Sequence, residues 1–231
     1  MYERQETTTP SRHPERATYD EDVVHAVLDE ALLAHVGFVA KERPQVLPLL
    51  FVRVGSTVYL HSSTGARPAR MAARRGGIEL CVEVTIVDAL VLARSAFNHS
   101  ANYRSVVAHG RATLVGSPTE KDAVLVALMD KLVPGRSTDA RLPDENELRQ
   151  TAVLALPLDE VGAKIRAGDP SDDEDDLGLP VWAGLWPIVT SWAPPQPSAD
   201  LRPGISMPDY LQPSGAGRSG GLLDGTGALP T

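Results

Sequence analysis

The chain has 231 residues, 42% of them hydrophobic, with a net charge of −8 and a single cysteine, Cys81. That length suits one packed domain with a tail, and the negative balance argues against nucleic-acid backbones or anionic membrane surfaces as partners. One cysteine excludes an intrachain disulfide framework and a cysteine-based zinc site.

Residues 1–20 are polar and charged, without the apolar centre of a signal peptide, and no apolar run reaches the ~18–20 residues of a membrane span. Cytoplasm is the expected compartment. Residues 1–17 read as a flexible arm, 18–209 as one domain, and 210–231, rich in Gly and Pro, as a disordered tail.

Thr18 and Glu21 have capping-box spacing, and Val24, Val27, Leu28, Ala31 and Leu32 follow at helical spacing, which predicts a helix over 20–34. Short apolar runs then predict strands over 35–40, 45–53 and 57–61, with turns at 41–44 and 54–56. Pro48 inside the second run implies an edge or a bulge. Pro68 suits the first position of a helix running to Arg75.

Strands are expected again over 78–87, 89–95 and 103–115. Ser117-Pro118-Thr119-Glu120 is a capping box with proline at the first helical position, ahead of a face made by Val124, Leu125, Leu128, Met129 and Leu132. Residues 151–158 and 161–166 complete the strands, and the acidic run 169–176 reads as a solvated loop. No internal repeat is present. About seven short strands without βαβ alternation predict a mainly β protein, a β-barrel with helical additions rather than a Rossmann sheet.

Two segments carry polar chemistry. Ser62, Ser63, Thr64, Gly65, Ala66 and Arg67 lead into a helix start, where outward backbone N–H groups and a guanidinium suit a phosphate. An ordinary turn with a surface arginine has the same composition. His99-Ser100-Ala101-Asn102-Tyr103-Arg104-Ser105 is a dense set of donors at a strand entrance, equally compatible with a ligand or with a satisfied turn.

The six histidines, 13, 25, 35, 61, 99 and 109, show no metal-ligand spacing, so no metal is expected. His61 lies beside the phosphate-type loop and is the candidate catalytic residue, protonating or orienting a substrate; a structural histidine fits there too. There is no nucleophile elbow and no dinucleotide fingerprint. Trp182, Trp186 and Trp192 suit a core cluster better than the wall of a cleft.

The stretch from Ala89 to Val107, containing Arg94-Ser95-Ala96-Phe97-Asn98-His99-Ser100-Ala101-Asn102-Tyr103-Arg104-Ser105, resembles the FMN-binding split-barrel proteins of the pyridoxamine 5′-phosphate oxidase superfamily. Shorter matches are Arg16-Ala17-Thr18-Tyr19, Gln45-Val46-Leu47-Pro48, Val58-Tyr59-Leu60-His61-Ser62, Lys164-Ile165-Arg166-Ala167-Gly168 and Pro180-Val181-Trp182-Ala183-Gly184. The branch it is most similar to is the flavin-nucleotide-binding group related to 5-nitroimidazole-resistance (Nim-type) proteins.

The resemblance implies a six-stranded barrel that forms a homodimer, with FMN in a groove between subunits. Pro48, Leu49 and Leu50 would run along the isoalloxazine. Leu60, His61 and Ser62 would lie beside it and Arg67 would face its phosphate, which agrees with the loop of Thr64 and Gly65 read above as suited to an anion. Asn102, Tyr103, Arg104, Ser105, Lys164 and Trp182 would complete the site. Where the family usually has Gly, His and Met, this chain has Ala89, Asn98 and Ala101, and Gly65-Ala66 replaces more polar residues before Arg67. The Arg-x-His substrate motif of the true vitamin B6 oxidases is absent from the last fifty residues. The implied activity is an FMN-dependent oxidoreductase acting on a small molecule. A non-catalytic flavin carrier or sensor, or a split barrel holding deazaflavin or haem, are the alternatives.

Overall fold

The computed structural model describes residues 1–211, so most of the expected tail lies outside the described residues. Two compact units form. One comprises Met1–Ile86 and Arg104–Ile165; the other comprises Val87–Tyr103 and the described residues from Arg166.

In the first unit, β1 (Ala17–Thr18) precedes α1 (Glu21–Glu30), followed by β2 (Leu33–Ala40), β3 (Arg43–Val54), β4 (Thr57–Ser63) and α2 (Arg67–Arg75). Next come β5 (Ile78–Leu92) and β6 (Ser100–Leu114), both of which continue into the second unit, then α3 (Pro118–Leu132), α4 (Glu145–Gln150), β7 (Thr151–Pro157) and β8 (Glu160–Arg166). Strand order β6-β7-β4-β3-β2-β5, with β5 also pairing β6, closes six strands into a ring; β8 and β1 extend from β6.

Alternation along the strands decides what fills the ring. Val36, Phe51, Val58, Leu60, Val82, Val84, Leu154 and Leu156 are buried, because successive side chains take opposite faces. Outside the ring, α3 lays Val124 and Leu128 against Val52, Val115 and Val153, with Leu125, Leu132 and Tyr59 packed around them. The expected α3 face is therefore the packed one, and Ser117 accepts from the Glu120 N–H at 3.3 Å as its cap.

Several expected boundaries move. The first helix stops at Glu30, since pairing of Leu33 with Leu50 draws the next residues into β2. Its cap is Asp20, whose carboxylate accepts from Asp22 and Val23, rather than Thr18. The β2–β3 turn contracts to Lys41 and Glu42, both at positive φ, and Pro44 joins the strand opposite Val39. The expected breaks at Asp88 vanish into one 15-residue β5. Helix α4 and strand β1 were not anticipated.

Residues 1–17, expected as a flexible arm, make specific contacts. The Tyr2 hydroxyl is 2.7 Å from His25 Nε2, the Thr7 hydroxyl donates to Glu160, and the Lys164 ammonium donates to the Arg12 carbonyl at 3.0 Å.

The second unit contains the distal ends of β5 and β6 and a short strand, β9 (Gly184–Pro187), which pairs with Ala89–Leu92 of β5. The Ile188 N–H donates to the Asp88 carbonyl at 2.9 Å, which is why Asp88 does not end the strand. Trp182, Trp186 and Trp192 do not build a core: all three are exposed. Nor is the acidic run wholly solvated. The Asp172 side chain is 1% exposed and accepts from the Arg94 N–H, the Arg94 guanidinium and the Ser95 N–H.

Candidate functional site, a fork between two strands

Strand β3 changes partners midway. Residues from Arg43 to Leu50 pair with β2, whereas Phe51 to Val54 pair with β4. Beyond the last shared rung, Phe51 with Leu60, β4 pairs only with β7, through His61, Ser62 and Ser63. A fork opens there, with Pro48, Leu49 and Leu50 on one prong and His61, Ser62 and Ser63 on the other. Pro48 fits this edge because its missing N–H leaves no ladder bond unmade on the side facing the fork. The edge inferred from the sequence is observed.

The loop after β4 closes the base of the fork. Its Thr64 N–H donates to the Gln150 carbonyl at 3.0 Å, and the Ala66 N–H donates to the Ser63 carbonyl at 3.0 Å. Helix α2 then starts at Arg67, with Pro68 second rather than first. Its cap position is Ala66, which offers no side-chain acceptor, and its first turn carries no acidic residue. The N–H groups of that turn are therefore free of side-chain caps, a ready seat for an anion. The Arg67 guanidinium donates to Gln45 Oε1 at 3.1 Å, which ties it to the β3 prong.

His61 is half-buried, and burial pushes its imidazole below the ordinary value of 6.5. It makes no side-chain hydrogen bond among the described residues. At neutral pH the ring is uncharged, so it suits hydrogen bonding to and orienting a bound molecule better than delivering a proton.

The other residues implied by the resemblance lie on other elements, each described within its own unit. Arg104 is 1% exposed and its guanidinium grips Glu30, with the second contact at 3.0 Å, so it serves the fold. The Ser105 hydroxyl donates to the Lys164 carbonyl at 3.2 Å, and both residues line a groove of ≈220 Å³ beside Thr7, Thr8 and Thr9. In the second unit Asn102 is buried, donating to the Gly168 carbonyl at 3.1 Å and accepting from Arg166, while Tyr103 is half-buried and Trp182 exposed. Gln45 was in a matching stretch but not among the expected site residues, and its side chain meets Arg67. Its place beside Arg67 depends on the β2–β3 register, which no local pattern encodes. Among the described residues no group of three His, Cys, Asp or Glu could hold a metal ion, and no helix is long and apolar enough to cross a membrane.

Six strands in a ring, parted between β3 and β4, define a split β-barrel. The chain belongs to the pyridoxamine 5′-phosphate oxidase family, whose model matches residues 20–165. It is similar to a flavocytochrome from Azotobacter vinelandii, at 37% identity over 90% of this chain and 95% of that one, with a TM-score of 0.84. An FAD- and haem-binding protein from Mycobacterium smegmatis is 31% identical over 85% of this chain and 95% of its own, with a TM-score of 0.79. A candidate 5-nitroimidazole antibiotic resistance protein from Bacteroides thetaiotaomicron shares the fold, at 21% identity over 64% of this chain and 86% of its own, with a TM-score of 0.54. No curated protein matches the chain.

Proposed function

We propose that this chain is a flavin-binding oxidoreductase that holds its flavin in the fork and works as a homodimer. The observation that carries the reading is the junction at α2: an uncapped, acid-free helix start whose Arg67 is tied to the β3 edge. Helix-terminal N–H groups and a guanidinium fit a flavin phosphate, and the Pro48–Leu50 edge offers an apolar rail for a ring. The residues present fit the group. A bound flavin supplies the hydride or electron chemistry; the protein grips and orients it. Arg67, Ser62 and Thr64 hold the anion, and His61, neutral and unpaired, orients a small acceptor.

The phosphate seat by itself suits FMN. Similarity to a protein that binds FAD and haem, and to a flavocytochrome, favours a second reading in which the flavin is FAD and a haem binds as well. Oxidation of vitamin B6 is not part of the proposal, because the Arg-x-His substrate motif is missing.

The test is flavin titration of the full chain by fluorescence quenching, with FMN and FAD in separate arms. Loss of a charge-assisted phosphate contact in Arg67→Ala should weaken binding about tenfold or more. Wild-type protein that binds neither flavin, or Arg67→Ala that binds as tightly as wild type, overturns the site. Anaerobic addition of NADH or NADPH then separates a reducible enzyme from a carrier or sensor.

A further inference from the structure

We propose that His99 supplies the axial nitrogen for a haem iron in the second unit, a deepening that rests on the haem reading above. The geometry singles out this histidine. His13 pairs with Glu15 at 2.9 Å, His35 with Glu83 at 3.3 Å, and His25 Nε2 meets the Tyr2 hydroxyl at 2.7 Å. His61 faces the flavin fork, and His109, half-buried on β6, has no hydrogen bond among the described residues to fix its tautomer.

The His99 ring is different. Its Nδ1 lies 2.8 Å from the Ser95 carbonyl oxygen. A carbonyl can only accept, so the proton sits on Nδ1 and the lone pair of the neutral ring is left on Nε2. This is the arrangement by which a protein fixes the tautomer and direction of a metal-ligating histidine. Nε2 has no partner among the described residues, and the side chain is exposed.

Ser95 is itself held in place. Its N–H donates to Asp172 at 3.4 Å, and that buried carboxylate also takes the Arg94 N–H at 2.8 Å and its guanidinium at 2.9 Å. Burial pushes the Asp172 carboxyl up, but these donors outweigh it and keep the group below its ordinary value of 3.8. A carboxylate, a peptide and an imidazole thus form a fixed relay.

The surroundings suit a flat apolar macrocycle with anionic edges. Phe97 is 89% exposed and Trp182 67%. The Trp182 ring lies against Gly184, where an added Cβ would come within 2.9 Å of it, and Gly184 pairs with Leu92, three residues before Ser95. Trp182 and His99 therefore stand at the same end of β5. Among the described residues, the buried apolar side chains of this unit are Ala89, Val91 and Ala93, so its aromatic residues have little core there to join. Two buried donors in the same loop, Arg94 Nε and Asn98 Nδ2, have no hydrogen-bond partner among the described residues. The propionates of a haem would satisfy such donors. Exposed aromatic rings, one imidazole with a free nitrogen and cationic or amide donors are groups a haem can engage.

The test is hemin titration of the purified full chain, read by the Soret band, with wild type, His99→Gly, His61→Ala and His109→Ala compared. His99→Gly should bind hemin at least about tenfold more weakly, and added imidazole should restore the wild-type spectrum. Asp172→Asn, which loosens the relay without touching the ring, should shift the Soret band in the same direction. His109→Ala should match wild type. Retention of the wild-type spectrum by His99→Gly, or its loss in His61→Ala alone, overturns the assignment while leaving haem binding in place. A wild-type chain that takes up flavin but no hemin overturns both the ligand and the haem reading, and the flavin site stands.

Discussion

Arg104 shows how a residue can match a family pattern and still serve packing. The resemblance implied a ligand contact, yet its guanidinium is buried against Glu30 inside the first unit. A buried cation that loses its carboxylate keeps the desolvation penalty and loses its charged partner's compensation. Glu30→Gln should therefore cost about 3 kcal/mol in urea unfolding. The double variant Glu30→Leu, Arg104→Met should cost less than the single one, because it removes both charges together. A single variant within experimental error of wild type would show that the pair is not needed. Sequence reveals the identity of such a residue but not its direction. The helix start at Arg67, by contrast, was legible because the hydroxyl-rich turn and the following proline mark a helix start wherever the chain goes next.

At the scale of elements, legibility followed how local the cause was. Helix α3 was read correctly because its cap, Ser117, directly precedes the 15-residue helix that holds its proline and its apolar face. Helix α4 was missed although its signal is present: Asp144 and Glu147 form a complete capping box. It is only six residues long and has no apolar periodicity to draw attention. The contraction of the β2–β3 turn was illegible for another reason. Lys41 and Glu42 take φ of 51° and 60°, a conformation normally announced by Asn-Gly, and nothing in their side chains favours it. Register on both sides imposes the turn, and two non-glycine residues in the left-handed region carry strain. Replacing them, as Lys41→Asn with Glu42→Gly, should stabilise the protein by about 1 kcal/mol or more in urea unfolding. Unchanged or reduced stability would mean that the native turn is not strained.

For the whole molecule, periodicity alone led to a β-barrel with helical additions, and the resemblance supplied the six-strand ring. The division into two units was not legible, because β5 and β6 run through both and no linker composition marks the boundary. One surface of the first unit carries the argument for a second copy. On β2 and β3 the outward positions include Leu33, Val39, Val46, Pro48 and Leu50, all exposed and brought side by side by the pairs Leu33 with Leu50 and Val39 with Pro44. An antiparallel hairpin normally turns polar residues to water, so an apolar outward face on a hairpin whose β2 strand already buries its other face calls for a partner. The face runs directly into the fork at Pro48 and Leu50, so a second copy seated there would close the open side of the flavin site. Aspartates at Val46 and Leu50 point to solvent in the isolated chain and should cost the fold little, but they would be buried unpaired in a dimer. Sedimentation velocity at micromolar concentration should therefore show a dimeric wild type and a monomeric Val46→Asp, Leu50→Asp variant with an unaltered circular dichroism spectrum. Flavin affinity is read on Val46→Asp alone, since Leu50 lines the fork, and should fall together with dimerisation if the partner closes the fork. A monomeric wild type would refute the second copy at this face, and a variant that stays dimeric would place the interface elsewhere.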